Sequence, residues 1–241
     1  MPYHTATPHP SQSFLRPALT LAGALFILCL TGVTQAADWK LNPVQKQPPA
    51  NVPESIRALM DGTDLLIFDG GRPVFEIWLR KEVPLKSKPD SPANALRSLP
   101  ENVLLGVLRV HRDGIDYRGD TLFTDIYTAR FTLQPQDGNH LGTADFPFFV
   151  ALIPVKHDSG PDALDSYKAV TEASSRDNPT GHPFTLNLRP VAEDAAETPT
   201  LTEPAPEHHA VRIKLNGKPA DGGDPVPLIF DLVFHGKTPY E

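Results

Sequence analysis

The chain has 241 residues, a single cysteine, 27 prolines and a formal net charge of −7 at pH 7. An acidic chain without a basic stripe lacks the electrostatic footprint of a protein that binds nucleic acid or an anionic membrane surface. The lone Cys29 excludes an intramolecular disulfide and a cysteine-ligated zinc or iron–sulfur site.

The N-terminal segment has the features of an export signal. Residues 18–33 form an apolar run that is followed by Thr34-Gln35-Ala36, with small residues at the −3 and −1 positions. The run is shorter than the roughly 18 to 20 residues that a bilayer-spanning helix needs. We therefore predict that residues 1–36 are a signal peptide cleaved before Ala37. The mature protein is then expected in the periplasm or outside the cell, without a membrane span.

The mature chain begins with a proline-rich segment and a hairpin. Prolines deny regular hydrogen bonding to residues 37–64, for which we expect a lead-in outside the core, with a short helix over residues 54–60. Residues 64–68 and 74–79 flank Gly70-Gly71 and predict a β-hairpin. The core face of its second strand is predicted to carry Phe75, Ile77 and Leu79.

Three apolar runs follow in the middle of the chain. Residues 103–110 predict a strand, and Asp113-Gly114 predicts a tight turn that returns the chain over residues 115–117. Residues 126–133 alternate strictly between apolar and polar, which is typical of a strand with one face in solvent. Residues 148–153 are uniformly apolar and predict a central strand. The solvent face of the alternating strand is predicted to carry Thr128, Arg130 and Thr132.

One helix and two strands complete the predicted elements. Ser159 precedes acidic residues and then apolar residues at helical spacing, which predicts a helix over residues 159–170. Residues 190–208 are acidic and rich in Pro and Ala, so we expect a flexible loop. Residues 211–215 and 228–234 predict two paired strands.

These patterns predict a mainly β fold, an antiparallel β-sandwich in jelly-roll or immunoglobulin-like order with one short helix. Helices do not alternate with strands, which disfavours a parallel α/β architecture. We expect residues 65–241 to form a single domain.

The loop between the two best-defined strands concentrates polar side chains. Asp137, Asn139 and His140 lie within residues 134–146 and offer carboxylate, amide and imidazole groups at a sheet edge. These groups suit a polar ligand. The alternative is an ordinary turn in which they bind backbone groups.

Arginine and aromatic residues on the adjacent sheet face form a second candidate. Arg130 and Trp78 are predicted to lie beside the loop, where a guanidinium and an indole suit a carboxylate or a sugar. The alternative is that the arginines of this region, Arg109, Arg112, Arg118 and Arg130, form cross-strand pairs with Glu76, Asp116 or Asp120.

Seven of the nine histidines lie after residue 36, which raises the question of a metal site. No pair has the HExxH spacing of a zinc peptidase, although His111, His140 and Asp137 could converge in space. We expect no cofactor, with a divalent metal as the alternative.

Motifs for nucleophilic catalysis are absent from the sequence. It contains no G-x-S-x-G elbow, no S-x-x-K and no phosphate-binding loop. A glycosidase needs two carboxyl groups across a cleft, for which Glu76 with Asp116 or Asp137 is a candidate pair.

The segments 127–142 and 148–154, with Glu76-Ile-Trp-Leu-Arg-Lys81 before them, resemble a set of uncharacterised secreted bacterial proteins. The resemblance implies an exported bacterial protein and carries no activity. The hypothesis is therefore a non-enzymatic module that binds a small ligand, a glycan or an envelope protein. The alternative is a secreted hydrolase or metal-dependent enzyme that uses His and Asp groups near residues 134–146.

Overall fold

Strands make up nearly half of the described part of the chain, which comprises residues 38–135, 144–191 and 197–238 of a computed structural model. The strands are β1 (Trp39–Gln45), β2 (Met60–Asp69), β3 (Arg72–Arg80), β4 (Val83–Leu85), β5 (Leu104–Val110), β6 (Gly114–Ile115), β7 (Thr121–Leu122), β8 (Ile126–Leu133), β9 (Phe148–Pro154), β10 (Phe184–Pro190), β11 (Thr200–Ala205), β12 (His208–Pro219) and β13 (Val226–His235). The α-helices are α1 (Glu54–Arg57) and α2 (Tyr167–Ser175), and 3₁₀ turns cover Pro92–Ser98 and Val155–His157. The predicted mainly β class is confirmed.

The strands form one large curled sheet, in the order β1-β2-β3-β5-β8-β9-β10-β13-β12-β11. All neighbours on this path are antiparallel, and β4 adds a short parallel pairing with β12. Strand β10 joins the two halves, because residues 184–187 pair with β9 and residues 188–190 pair with β13. The edge strands β1 and β11 approach within 8 Å between Cα atoms. The sheet therefore curls into a half-barrel whose two halves face each other.

The order of the strands differs from the jelly-roll or immunoglobulin-like order that we expected. From β1 to β10 the path follows the chain as a meander, interrupted only by β4 and the separate β6–β7 pair. Short connections favour the pairing of successive strands. One long step, from β10 to the far edge strand β11, breaks this rule.

The core lies between the two halves of the curled sheet. Leu65, Ile77 and Leu152 from the first half belong to the same buried cluster as Ile213 and Phe230 from the second half. Burial of this apolar surface is the main stabilising contribution available to a chain that contains no disulfide. The predicted core face of β3 and the fully buried strand β9 are confirmed.

The proline-rich segment is part of the fold rather than a lead-in. β1 pairs with β2 along its whole length, and the segment that follows it carries Val52 and Ile56 into a buried cluster around Trp78. The prolines in this segment prevent a long element, but they do not prevent its apolar side chains from packing. The outer face of β3 is therefore covered instead of being open to solvent.

The outer face of β8 is also covered, contrary to its alternating pattern. Thr128 and Arg130 are fully buried, and Thr132 is nearly so. Thr128 and Arg130 lie beneath the segment from β9 to α2, where both bind Asp158. The alternating pattern shows that β8 has one apolar and one polar face. It does not show whether the polar face lies in solvent or beneath another polar segment of the protein.

Three local predictions are wrong, two about the position or pairing of an element and one about its type. The predicted helix over residues 159–170 begins later, because Ser166 caps α2 and accepts a hydrogen bond from Ala169 N. The predicted return strand over residues 115–117 does not pair with β5, which pairs with β8 instead. Residues 200–205, predicted as loop, form the edge strand β11.

Residues 1–36, which carry the predicted signal peptide, lie outside the described residues. Within the described segments, no helix has the length and apolar character needed to cross a membrane.

Candidate functional site

A group of charged side chains converges on one buried carboxylate on the outer face of the first half-sheet. We call this group, formed by Lys46, Asp64, Glu76, Arg109 and His111, the Glu76 cluster. Lys46 Nζ contacts Glu76 Oε1, while Arg109 Nη1 and His111 Nε2 each lie 3.3 Å from Glu76 Oε2. Lys46 Nζ also lies 3.7 Å from Asp64 Oδ2. The two carboxyl groups thus share one ammonium group.

Strand pairing brings most of the Glu76 cluster together. Glu76 on β3 lies directly opposite Arg109 on β5. His111 follows β5, and its backbone N donates to Val74 O at 2.9 Å, which continues the ladder. Cross-strand pairs of opposite charge are a common way to stabilise a sheet. These three residues therefore lie together because of the β3–β5 register.

Asp64 enters the cluster from β2 through an irregularity in the strand. The β2–β3 register shifts between Met60 and Asp64, and Gly62 at this point has φ +83°. This positive φ favours glycine, and the side-chain amide of Gln47 lies close to where a Cβ would be. The bulge places Asp64 opposite Trp78, two pairs along the ladder from Glu76 and on the same face of the sheet.

Lys46 is held over the cluster by its own backbone. Lys46 N donates to Gly62 O at 2.9 Å, and Trp78 Nε1 donates to Lys46 O at 2.9 Å. The ammonium group lies 5.7 Å from the centroid of the Trp78 ring, within the range of a cation–π contact. The buried Trp78 therefore fixes the segment from which Lys46 reaches the two carboxyl groups.

The two carboxyl groups have opposite pKa shifts. Burial, and then the negative charge of Glu76, raise the pKa of Asp64 to about 7. Burial also acts to raise the pKa of Glu76, but hydrogen bonding and charge from Lys46, together with Arg109 and His111, outweigh it and lower the pKa. Near neutral pH the cluster therefore holds one ionised carboxylate and one carboxyl group that is close to its titration midpoint.

The nitrogen-bearing side chains of the Glu76 cluster are more exposed than its two carboxyl groups. The side chains of Lys46, Arg109 and His111 are 44%, 38% and 26% exposed, whereas those of Asp64 and Glu76 are 0% and 4% exposed. The side chains that solvent can reach are therefore those of Lys46, Arg109 and His111. This arrangement is suited to holding an anion at the surface, and it leaves both carboxyl groups out of reach of a substrate.

The predicted ligand residues fall into two sets. Asp137, Asn139 and His140 lie outside the described residues, so their predicted role remains a prediction. Arg130 and Trp78 are fully buried, which contradicts their predicted place on an accessible binding face. Trp78 instead donates a hydrogen bond to Lys46 O and lies beneath the Lys46 ammonium group.

Arg130 is a structural residue. Its Nε and Nη2 bind Asp158 at 2.7 and 2.8 Å, and its remaining N–H groups donate to backbone carbonyls. Those carbonyls belong to Asn102, Gly160 and Asp162, at 2.7 to 2.9 Å. All five guanidinium donors are thus used within the protein. The same carbonyl bonds explain why residues 159–166 are not helical.

His111 belongs to the Glu76 cluster, although the sequence suggested it as a metal ligand with His140 and Asp137. The described residues contain no group of three His, Cys, Asp or Glu side chains that is arranged to hold a metal ion. His111 Nε2 faces Glu76 Oε2 at 3.3 Å, and the guanidinium and ammonium groups nearby are poor neighbours for a cation.

The predicted partners of Glu76 in catalysis are not confirmed. Asp116 is fully buried and accepts hydrogen bonds from Arg118 N, Asp120 N and Thr185 N, at 2.9 to 3.0 Å. Burial raises its pKa to about 6, and these bonds act in the opposite direction. Asp116 therefore organises a turn. Asp137 lies outside the described residues.

Sequence reasoning missed Lys46 and Asp64. Asp64 is the first residue of the predicted hairpin strand 64–68, and Lys46 lies in the proline-rich segment for which a lead-in outside the core is expected. The only available signal was the proximity of Asp64 to a glycine that interrupts an apolar strand, which is typical of a bulge.

A shallow cleft lies where the two edges of the curled sheet approach each other. It has a volume of about 260 Å³, with apolar walls that include Leu65, Leu79 and Ile213, and with Asp61 and Lys214 among its polar residues. Asp61 and Lys214 are exposed. The cleft opens on the opposite face of β2 from the Glu76 cluster.

Neither the family models, nor the curated proteins, nor the solved structures with which the chain was compared gave a match.

Proposed function

We propose that the protein is an exported, non-enzymatic binding module that holds the anionic group of a small molecule or a glycan against Lys46, Arg109 and His111. The observation that carries this proposal is the arrangement of the Glu76 cluster. Three partly exposed nitrogen-bearing side chains surround one buried carboxylate, and the second carboxyl group is shifted towards its neutral form.

The charge of the cluster favours an anion. Lys46 and Arg109 contribute two positive charges and Glu76 contributes one negative charge when Asp64 is protonated. Lys46 and Arg109 carry only hydrogen-bond donors, and a guanidinium offers the planar fork that carboxylate and sulfate groups bind well. Because the cations are already held by Glu76, little side-chain entropy is lost when a ligand binds.

Titration calorimetry with glucuronate, inorganic sulfate and uncharged glucose as probes tests the proposal at pH 6. We expect glucuronate and sulfate to bind and glucose not to bind. Arg109→Gln should weaken the binding of both anions at least tenfold, while Arg72→Gln should leave it unchanged. Arg72 is an exposed arginine on β3, the strand that carries Glu76, so it controls for net charge. Equal effects of the two substitutions, or no binding of either anion, would contradict the proposal.

A second function, acid–base hydrolysis, is favoured by one observation, the opposite pKa shifts of Asp64 and Glu76. The burial of both carboxyl groups beneath Lys46 argues against it. A panel of chromogenic glycosides and esters separates the two functions. Turnover that is lost in Glu76→Gln and retained in Arg72→Gln would establish hydrolysis and overturn the binding module.

The proposed export is tested independently of the ligand. Expression of the full chain in a bacterium, followed by fractionation and mass spectrometry of the N-terminus, should give a mature protein that begins at Ala37. A full-length chain retained in the cytoplasm would contradict export and leave the binding site itself unaffected.

A further inference from the structure

Asp64 is the least satisfied charged group of the Glu76 cluster. Its side chain is fully buried, and neither carboxyl oxygen accepts a hydrogen bond from any residue in the described segments. Its nearest charged groups are Lys46, whose Nζ is 3.7 Å away, and the carboxylate of Glu76. An ionised carboxylate without hydrogen bonds is costly to bury, and a second carboxylate beside it adds repulsion.

On the basis of the proposed function, we infer that Asp64 couples anion binding to proton uptake, so that the Glu76 cluster binds its anion with Asp64 protonated and releases it when Asp64 ionises. When protonated, Asp64 can donate its proton to Glu76, and Lys46 then faces a single carboxylate. When ionised, Asp64 competes with the ligand for the ammonium group of Lys46. The proton is taken from solvent and returned to it.

The charge balance of the site gives the direction of the effect. With a neutral imidazole at His111, protonated Asp64 leaves the cluster with a net charge of +1, from Lys46, Arg109 and Glu76. Ionised Asp64 reduces this net charge to zero, so the attraction for an anion disappears. The pKa of Asp64, raised to about 7 by burial and by Glu76, places this change near neutral pH.

Other titratable groups near Asp64 are few. Lys46, from the segment after β1, and Glu76, from β3, are the charged groups that act on Asp64. Arg109 and His111, on and after β5, contact the Oε2 atom of Glu76. His111 is the remaining ionisable group of the cluster, so its contribution must be separated experimentally.

Sulfate is the appropriate probe because its charge does not change between pH 5.5 and 8.5. We expect its dissociation constant for the full mature chain, measured by calorimetry, to rise at least fivefold between pH 6 and pH 8.5. In Asp64→Asn the amide mimics the protonated carboxyl group and cannot ionise. This variant should bind sulfate at pH 8.5 within twofold of the wild-type affinity at pH 6.

His111→Gln serves as the matched control, because it removes the imidazole and leaves Asp64 in place. We expect this variant to retain the greater part of the pH dependence. A profile that is flat in His111→Gln and unchanged in Asp64→Asn would overturn the inference and leave the proposed function standing. Failure of sulfate to bind at any pH would overturn both.

A direct titration of Asp64 tests the inference without relying on the affinities of the variants. The ¹³C carboxyl resonance of Asp64, assigned by its loss in Asp64→Asn, should titrate with a midpoint between pH 6 and 8 in the unliganded protein. Addition of saturating sulfate should move this midpoint upward, because binding and protonation are linked. A midpoint below pH 5, or one that sulfate does not move, would overturn the inference.

Discussion

Two ionic clusters on the outer face of the first half-sheet differ in how many of their polar atoms form hydrogen bonds. Around Arg130, every guanidinium donor has an acceptor, and Thr128 donates to the Asp158 carboxylate that pairs with Arg130. In the Glu76 cluster, Asp64 is equally buried and has no hydrogen-bond donor within the described residues. A saturated cluster can only hold the fold together, whereas an unsaturated one can exchange a proton or a partner.

The difference arises from what covers each cluster. The segment between β9 and α2 brings backbone carbonyls onto Arg130, and a backbone acceptor cannot leave without local unfolding. The segment after β1 brings only the side chain of Lys46 onto Asp64 and Glu76, and this side chain is 44% exposed. A flexible side chain can turn towards a ligand at little cost. The same sheet face therefore carries a structural cluster and a candidate binding site.

The largest expected effect comes from breaking the saturated cluster. Arg130→Met should leave Asp158 buried without its cation and lower the free energy of unfolding by about 3 to 5 kcal/mol, as measured by urea denaturation. Arg112→Met is the control, because Arg112 pairs with Asp69 at a largely solvated site and should cost less than about 1 kcal/mol. Similar losses in the two variants would show that Arg130 is not the structural centre that its contacts indicate.

The support beneath the unsaturated cluster should give the next largest effect. Trp78→Phe removes the hydrogen bond to Lys46 O and leaves a small cavity, so we expect a loss of about 2 kcal/mol in unfolding free energy. Trp39→Phe should cost less, because the Nε1 atom of Trp39 has no hydrogen-bond partner among the described residues. Trp78→Phe should also weaken the binding of sulfate, which Trp39→Phe should not do.

Removal of the buried charge should stabilise the protein at alkaline pH. A carboxyl group whose pKa is raised in the folded state contributes stability that is present below its unfolded pKa of about 3.9 and is lost as pH rises through its folded value. For Asp64 this loss extends to about pH 7 and somewhat above. Asp64→Asn should therefore raise the unfolding free energy by about 1 kcal/mol at pH 8 relative to the wild type.

The comparison of this variant at two pH values supplies its control. Asp116, with a pKa raised to about 6, contributes a similar loss at lower pH that Asp64→Asn does not remove. Urea denaturation at pH 5 and pH 8 should show a gain that is larger at pH 8. A gain of the same size at both values would indicate a packing effect rather than the removal of a charge.

The smallest effect on stability, and a clear effect on binding, is expected at Lys46. Lys46→Gln should lower the unfolding free energy by about 1 kcal/mol, because its ammonium group is partly exposed and Arg109 still pairs with the buried Glu76. The same variant should weaken the binding of sulfate about tenfold, which corresponds to about 1.4 kcal/mol. A large destabilisation would place Lys46 with Arg130 among the structural residues and remove the contrast between the two clusters.

The sequence by itself determined the elements that depend on local patterns. Gly70 and Gly71, both with positive φ, form the turn of the β2–β3 hairpin, and the uniformly apolar β9 is buried on both faces. The pairing of β12 with β13 also follows from two apolar runs separated by a Gly-rich loop. Turn chemistry and periodicity act over a few residues, so a single sequence contains enough information to predict them.

Only the tertiary structure decided which strand faces are covered by other segments and which charged side chains contact each other. Arg130 lies on a face that alternation predicted to be in solvent, and it is buried by a segment about 30 residues away in sequence. Lys46 and Glu76 are likewise 30 residues apart. Alternation distinguishes the polar face of a strand from its apolar face, but the coverage of that polar face depends on the path of distant chain. The candidate site formed by Lys46 and Asp64 could therefore not be predicted from local sequence.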